Sequence, residues 1–254
     1  MMQWFEAALG PAHAAFGFLG LAAFWVPVLS KKGGARHVWF GRVFLYSAYV
    51  VLASAGVAVI YRLGKLLAAG SGPSLEPTLF AFLLFLGYLA LTTFVTVRHA
   101  IGVLRTKRDP DALATPFNVA MGRLAIAASL LLITYALYFR PPIMVLLLAL
   151  SPIGLGTGYG ILRYLRGARR SARQWLYEHL GGMLGAGIAF HTAFAVFGVS
   201  QLFSFRLDGW VGILPWILPG VVGTVAIVIW TRHYQRKFGE SGAKRGAQSV
   251  GAPG

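Results

Sequence analysis

Seven uncharged apolar runs, at 7–30, 43–61, 78–97, 124–139, 141–162, 180–205 and 209–231, constrain this chain more than any other feature. A bilayer core of about 30 Å needs about 20 helical residues, and most of these runs have that length. The run at 124–139 is short, but Arg123 and Arg140 at its ends can snorkel outward. RPP at 140–142 predicts a tight hairpin, because proline suits the first turn of the helix that follows. The expected fold is all-α: a polytopic transmembrane helical bundle of seven spans over residues 1–237. A Gly- and Ser-rich cytoplasmic tail, 238–254, is expected to be disordered.

Composition agrees. Hydrophobic residues make up 57% and charged residues 12%, against about 25% charged in ordinary globular domains. With no cysteine, disulfides, thiolate metal sites and cysteine nucleophiles are excluded. MMQWFEAALG at the start carries no Lys or Arg before its apolar run. A retained first span is therefore expected rather than a secretory signal. The net charge of +16 does not indicate nucleic acid, because the basic residues sit in short loops and not on one soluble face.

Those loops set the expected orientation. Lys31, Lys32, Arg36 and Arg42 fall in one loop; Arg98, Arg105, Lys107, Arg108 and Arg123 in the next. Arg163, Arg166, Arg169, Arg170 and Arg173 fall in a third, and Arg232, Arg236, Lys237, Lys244 and Arg245 follow the last span. Of the 23 basic residues, only Arg62, Lys65, Arg140 and Arg206 remain for the opposite side. The positive-inside rule then predicts an outer N-terminus and a cytoplasmic C-terminus, as seven spans require. Trp4, Phe5, Trp39, Trp175, Trp210 and Trp230 fall at span ends, as an interfacial belt would. The third-loop arginines recur at three- and four-residue spacings, which predicts a helical extension lying against anionic lipid headgroups.

GLGTGYG at 154–160 lacks the lysine and flanking elements of a phosphate loop. Close helix packing is expected there, with a kink at Ser151–Pro152. LPWILPG at 214–220 predicts a bent helix. None of the seven acidic residues lies inside an apolar run, which weakens an ion-coupled transport reading. Asp109 and Asp111 flank a proline and are expected to cap a short helix. Glu178, at the start of the sixth span, suits a first-turn acid or a partner for an imidazole.

The six histidines are the candidate cofactor-binding residues. His37, His99, His179 and His233 fall at cytoplasmic span ends, and His37, His179 and His99 are the candidates for an inner site. Solvation at the headgroups is their simpler role. His13 and His191 fall within spans at depths that agree to about one turn, so they could meet if spans one and six are neighbours; a shared ligand and a proton or substrate path are the functional readings. The simpler partner of His191 is a backbone carbonyl or hydroxyl.

Three stretches carry a family resemblance. They are His13 followed by LSKKGGARHVWFGRVF with Gly41–Arg42, then WLYEHLGGMLGAGIAFHTAF, then LPWILPGVVGTVAIVIWTRHYQRKF. Together they resemble an uncharacterised family of bacterial multipass membrane proteins, known as a domain of unknown function (number 2306). The resemblance implies a helical protein of the bacterial inner membrane and no substrate. In such relatives a small or hydroxylated residue is expected at position 191, so no family-wide role is implied for His191.

Three functions are expected, in this order. The first is an accessory membrane protein working with a homo-oligomer or membrane partner. The second is a protein binding b-type haem or a metal through neutral imidazoles on different helices. The third is a transporter or small-molecule binder using the Gly-rich fifth and seventh spans. The lipid bilayer is a partner in all three.

Overall fold

In the computed structural model, which describes residues 2–167, 171–198 and 209–240, the chain is helical, and no strand occurs among these residues. The helices are α1 (Met2–Leu29), α2 (Ala35–Ala68), α3 (Pro77–Arg105), α4 (Pro116–Phe139), α5 (Met144–Leu150), α6 (Pro152–Leu165), α7 (Gln174–Ala193) and α8 (Leu214–Lys237). Seven segments are long and apolar enough to cross a membrane; α5 and α6 together supply the fifth, Met144–Leu165.

Hydropathy locates the spans but not their ends. The 34 residues of α2 rise about 50 Å, well beyond a 30 Å core. Arg36, His37 and Arg42 are thus on the helix and not in a loop, as are Arg62 and Lys65 at its far end. The fourth span is not short. Thr115 accepts the Asn118 N–H at 3.3 Å and Pro116 occupies the first turn, a strong start signal. Arg123 consequently lies inside α4. That helix ends on Arg140 in the left-handed region, φ 46°, as a terminating residue commonly does. RPP forms a turn closed by the Met144 N–H on the Pro141 carbonyl, and α5 starts only at Met144.

At Ser151–Pro152, where a kink is expected, the hydrogen-bond ladder is interrupted between α5 and α6, while Ser151 keeps helical angles (φ −58°, ψ −31°) and bonds the Leu147 carbonyl at 3.0 Å. Proline has no N–H to give the carbonyl four residues back, and Ser151 Oγ donates to that carbonyl, Leu148 O, at 3.0 Å. The Tyr88 hydroxyl fills the next gap. It accepts the Gly154 N–H at 2.8 Å and faces the carbonyls of Leu150 and Ser151 at 3.0 and 2.9 Å. A side chain from α3 thus stands in the hydrogen-bond ladder of the fifth span, a recognised way to satisfy a broken helix in a membrane.

At the basic end, among the described residues, the helix carries only Arg163 of the third-loop arginines: α6 stops at Leu165 and Gly167 turns the chain at φ 71°. Residues 168–170, with Arg169 and Arg170, lie outside the described residues. The last helix ends at Lys237, and the Phe238 and Glu240 amides bond back onto its last turns. Residues 241–254 lie outside the described residues, as do Arg206, Asp208 and the side chains of Trp4, Phe5 and Trp210. A short 3-10 helix, Pro110–Leu113, follows Asp109, without a side-chain cap bond from it.

α3 is the axis of the bundle. Its Val97 joins Phe24, Phe44, Ala48, Ala186 and Phe190 in a cluster shared with α1, α2 and α7. Its Phe85 and Tyr88 pack with Leu132, Tyr135 and Leu147 of α4 and α5. Its Val95 and Val103 pack with Ala125, Ile161 and Tyr164 of α4 and α6. α8 buries none of its residues. Lys32 Nζ bonds the carbonyls of Pro27 and Val28 at 2.8 and 2.6 Å, capping α1 with positive charge. Loss of solvent there pulls its ammonium below the usual lysine range. It also stands over the Trp230 ring at 5.8 Å, tying α1 to α8.

Candidate functional site

The glycines of GLGTGYG divide by face. A Cβ on Gly154 would run into Ser129 Oγ, and one on Gly158 into the carbonyl of Gly122, so these two pack α6 onto α4. Gly156 and Gly160, on the other face, have nothing within 4 Å of a Cβ and line a cavity. Packing, the sequence expectation, holds for half of the motif.

The cavity has a volume of about 2490 Å³ and lies among α1, α2, α3, α5, α6, α7 and α8. Along α3 its lining runs from Phe82 to His99, about 25 Å of helix rise and most of a bilayer core. Gly17, Gly156, Gly160 and Gly220 line it and would leave a Cβ in open space. Its walls are mainly apolar. His13, Ser54 and Arg62 mark one end; His99, Glu178 and Thr231 mark the other.

Each histidine has its own partner. His13 Nδ1 is 2.8 Å from Ser54 Oγ, and Ser54 gives its own proton to Val51 O at 2.9 Å. The imidazole must therefore donate from Nδ1, which leaves Nε2 with a lone pair. His37 Nδ1 donates to Pro27 O at 3.1 Å, and His179 Nδ1 to Ala100 O at 3.0 Å. A carbonyl can only accept, so both rings also keep Nε2 as the basic nitrogen.

His191 differs. Its Nδ1 donates to Gly187 O at 2.7 Å, while its Nε2 accepts the Trp25 indole N–H at 3.2 Å. Both nitrogens are used. Phe24 and Trp25 pack edge-on against the ring at 5.4 Å each. These residues stand about three turns along α1 from His13, so the structure does not bring His13 and His191 together. His233 is exposed on α8.

His99 and Glu178 meet across α3 and α7. Nε2 of His99 lies 3.4 Å from Glu178 Oε2, with side-chain exposures of 9% and 25%. That is ion-pair range, yet the buried Nε2 has no aligned hydrogen-bond partner. Gln174 Nε2 holds the other carboxylate oxygen at 2.8 Å, and the His99 ring packs edge-on against Tyr164 at 5.3 Å. Sequence reasoning missed this pair because it began the sixth span's apolar run at 180. α7 begins at Gln174, so Glu178 is within the span. The usable signal was Glu178 itself, read as a partner for an imidazole.

A second carboxylate fastens the chain's end. Glu240 accepts from Tyr177 at 2.8 Å, Ser171 at 3.0 Å and Arg173 at 3.5 Å. Burial works against its charge, but these donors outweigh it and hold the carboxyl below its ordinary range. Among the described residues, no three His, Cys, Asp or Glu side chains gather as a metal-ligand set. No family model, curated protein or solved structure matches the chain.

Proposed function

We propose that this chain is a multipass protein of the bacterial cytoplasmic membrane that binds a small apolar molecule drawn from the bilayer. The observation that carries the reading is the cavity: some 25 Å long by helix rise, walled by seven helices, mainly apolar, and with its charged and titratable groups near its ends. Binding sites in membrane proteins lie between helices, where mostly apolar walls supply affinity and a few polar groups fix orientation. The loop charges support an outer N-terminus and a cytoplasmic C-terminus. This function replaces the accessory role as the leading reading, because an accessory role gives no account of the open glycine faces.

The test is to purify the protein in lipid nanodiscs and identify extracted lipids by mass spectrometry. A species enriched several-fold over the bulk membrane is expected. A composition equal to bulk would end the proposal.

A second reading, haem or metal binding, has one observation in its favour. His37 and His179 are each oriented by a backbone carbonyl on Nδ1, as histidine ligands of metals commonly are. An absorption spectrum and metal analysis of the same preparation test it, and no Soret band and no bound metal would dismiss it.

A further inference from the structure

The cytoplasmic end of the cavity carries an unmet hydrogen-bonding demand. His99 is nine-tenths buried and its Nε2 has no hydrogen-bond partner among the described residues. It faces Glu178 Oε2 at 3.4 Å, too poorly aligned for a bond of their own. A lone pair aimed at a carboxylate would be repelled, so Nε2 carries the proton and is a donor. Glu178 Oε2 is an acceptor, and Oε1 is already held by Gln174. A buried donor beside a partly buried acceptor, on two residues that line one cavity, costs stability while the two remain unmatched.

We propose that this pair is the head-group subsite of the cavity, and that it takes a neutral hydroxyl on a long apolar tail. The inference rests on the cavity-binding reading above and names its ligand class. One hydroxyl can donate to Glu178 Oε2 and accept from His99 Nε2, which satisfies both groups. A carboxylate head would place a second negative charge beside Glu178. An ammonium head could satisfy Glu178 but would leave His99 Nε2 without an acceptor. A head without polar atoms would leave both unmatched. The subsite has room because Gly181 and Gly185 of α7 line the cavity beside it and would keep a Cβ 3.9 Å from the nearest atom, and the tail then has the 25 Å of mainly apolar wall above it.

The hydroxyl has two chemical sources, an aliphatic or polyprenyl alcohol and a hydroquinone with an isoprenoid tail. The experiment uses the full chain in nanodiscs with four photoreactive probes of equal tail length: a long-chain alcohol, a hydroquinone, the methyl ether of the alcohol and the matching amine. Crosslinking is read by peptide mapping and by competition with unlabelled probe. The alcohol or the hydroquinone should label the segment around residues 174–185 and bind at least about tenfold more tightly than the ether. That is the expected value of a hydrogen bond to a charged group. Whichever of the two binds more tightly identifies the source. Glu178→Gln should reduce the preference for hydroxyl over ether, and His99→Phe should abolish it. Equal binding of alcohol and ether, or tighter binding of the amine, overturns the head-group assignment while the cavity reading stands. Failure of every probe to label the cavity walls removes both. The wild-type comparison decides the matter even if a variant does not fold.

Discussion

The Tyr88 hydroxyl and the Gly154 amide, 2.8 Å apart and 66 positions apart in sequence, form the hydrogen bond that repairs the fifth span. Tyr88→Phe keeps the ring and removes the bridge. It should destabilise the protein by about 1–3 kcal/mol, the cost of leaving buried polar groups unpaired. The check is thermal unfolding in detergent, followed by size-exclusion. An unchanged midpoint would mean that other groups satisfy the break.

Gly154 and Gly156 should respond oppositely to alanine. At Gly154 the added methyl meets Ser129 Oγ and lies 2.8 Å from the Ala125 carbonyl, an overpacking that costs about 1–3 kcal/mol. At Gly156 it meets nothing and should leave stability within about 0.5 kcal/mol. Equal losses in the same assay would contradict the division of faces.

His191 should behave as a packing residue. Its two nitrogens are committed to Gly187 and Trp25, so His191→Ala should cost about 1–3 kcal/mol without changing the bound lipid recovered by mass spectrometry. Loss of that lipid from a folded variant would make His191 part of the binding site.

The contact at Glu240 predicts an acid limb in the stability profile. Its folded pKa is lowered, so its contribution is complete above the unfolded glutamate value, about 4.3. That contribution disappears as pH falls through the lower, folded value. Glu240→Gln should be less stable at pH 7, and the difference from wild type should shrink below pH 4.3. A difference independent of pH would rule out a charge effect.

Reporter fusions after Gly34, after Arg108 and at the C-terminus should report cytoplasm, and one after Gly72 the outside. A cytoplasmic signal at Gly72 would break the proposed alternation.

The number of spans was legible because uncharged runs are a direct record of what a bilayer accepts. Their ends were not, since a helix does not stop at its first charge. α2 carries Arg36 and Arg42, α4 carries Arg123, and α7 carries Glu178. The break at Ser151–Pro152 was legible from proline's missing N–H, whereas Tyr88, which mends it, was not, because hydropathy contains no long-range pairing. The histidines were legible as candidates and their partners were not. His179 finds its acceptor 79 positions away, at Ala100. The His99–Glu178 contact joins two helices in the same way.

α8 forms one wall of the cavity yet buries no residue of its own. That wall is thinner than the others: its Trp216 packs on Phe85 at 5.3 Å and reaches the second cluster, but no residue of the helix is buried. A guest that enters beside it would come from the plane of the membrane and not through water. Occupancy would then follow the mole fraction of the guest among the surrounding lipids, and diluting the aqueous phase would leave the site filled.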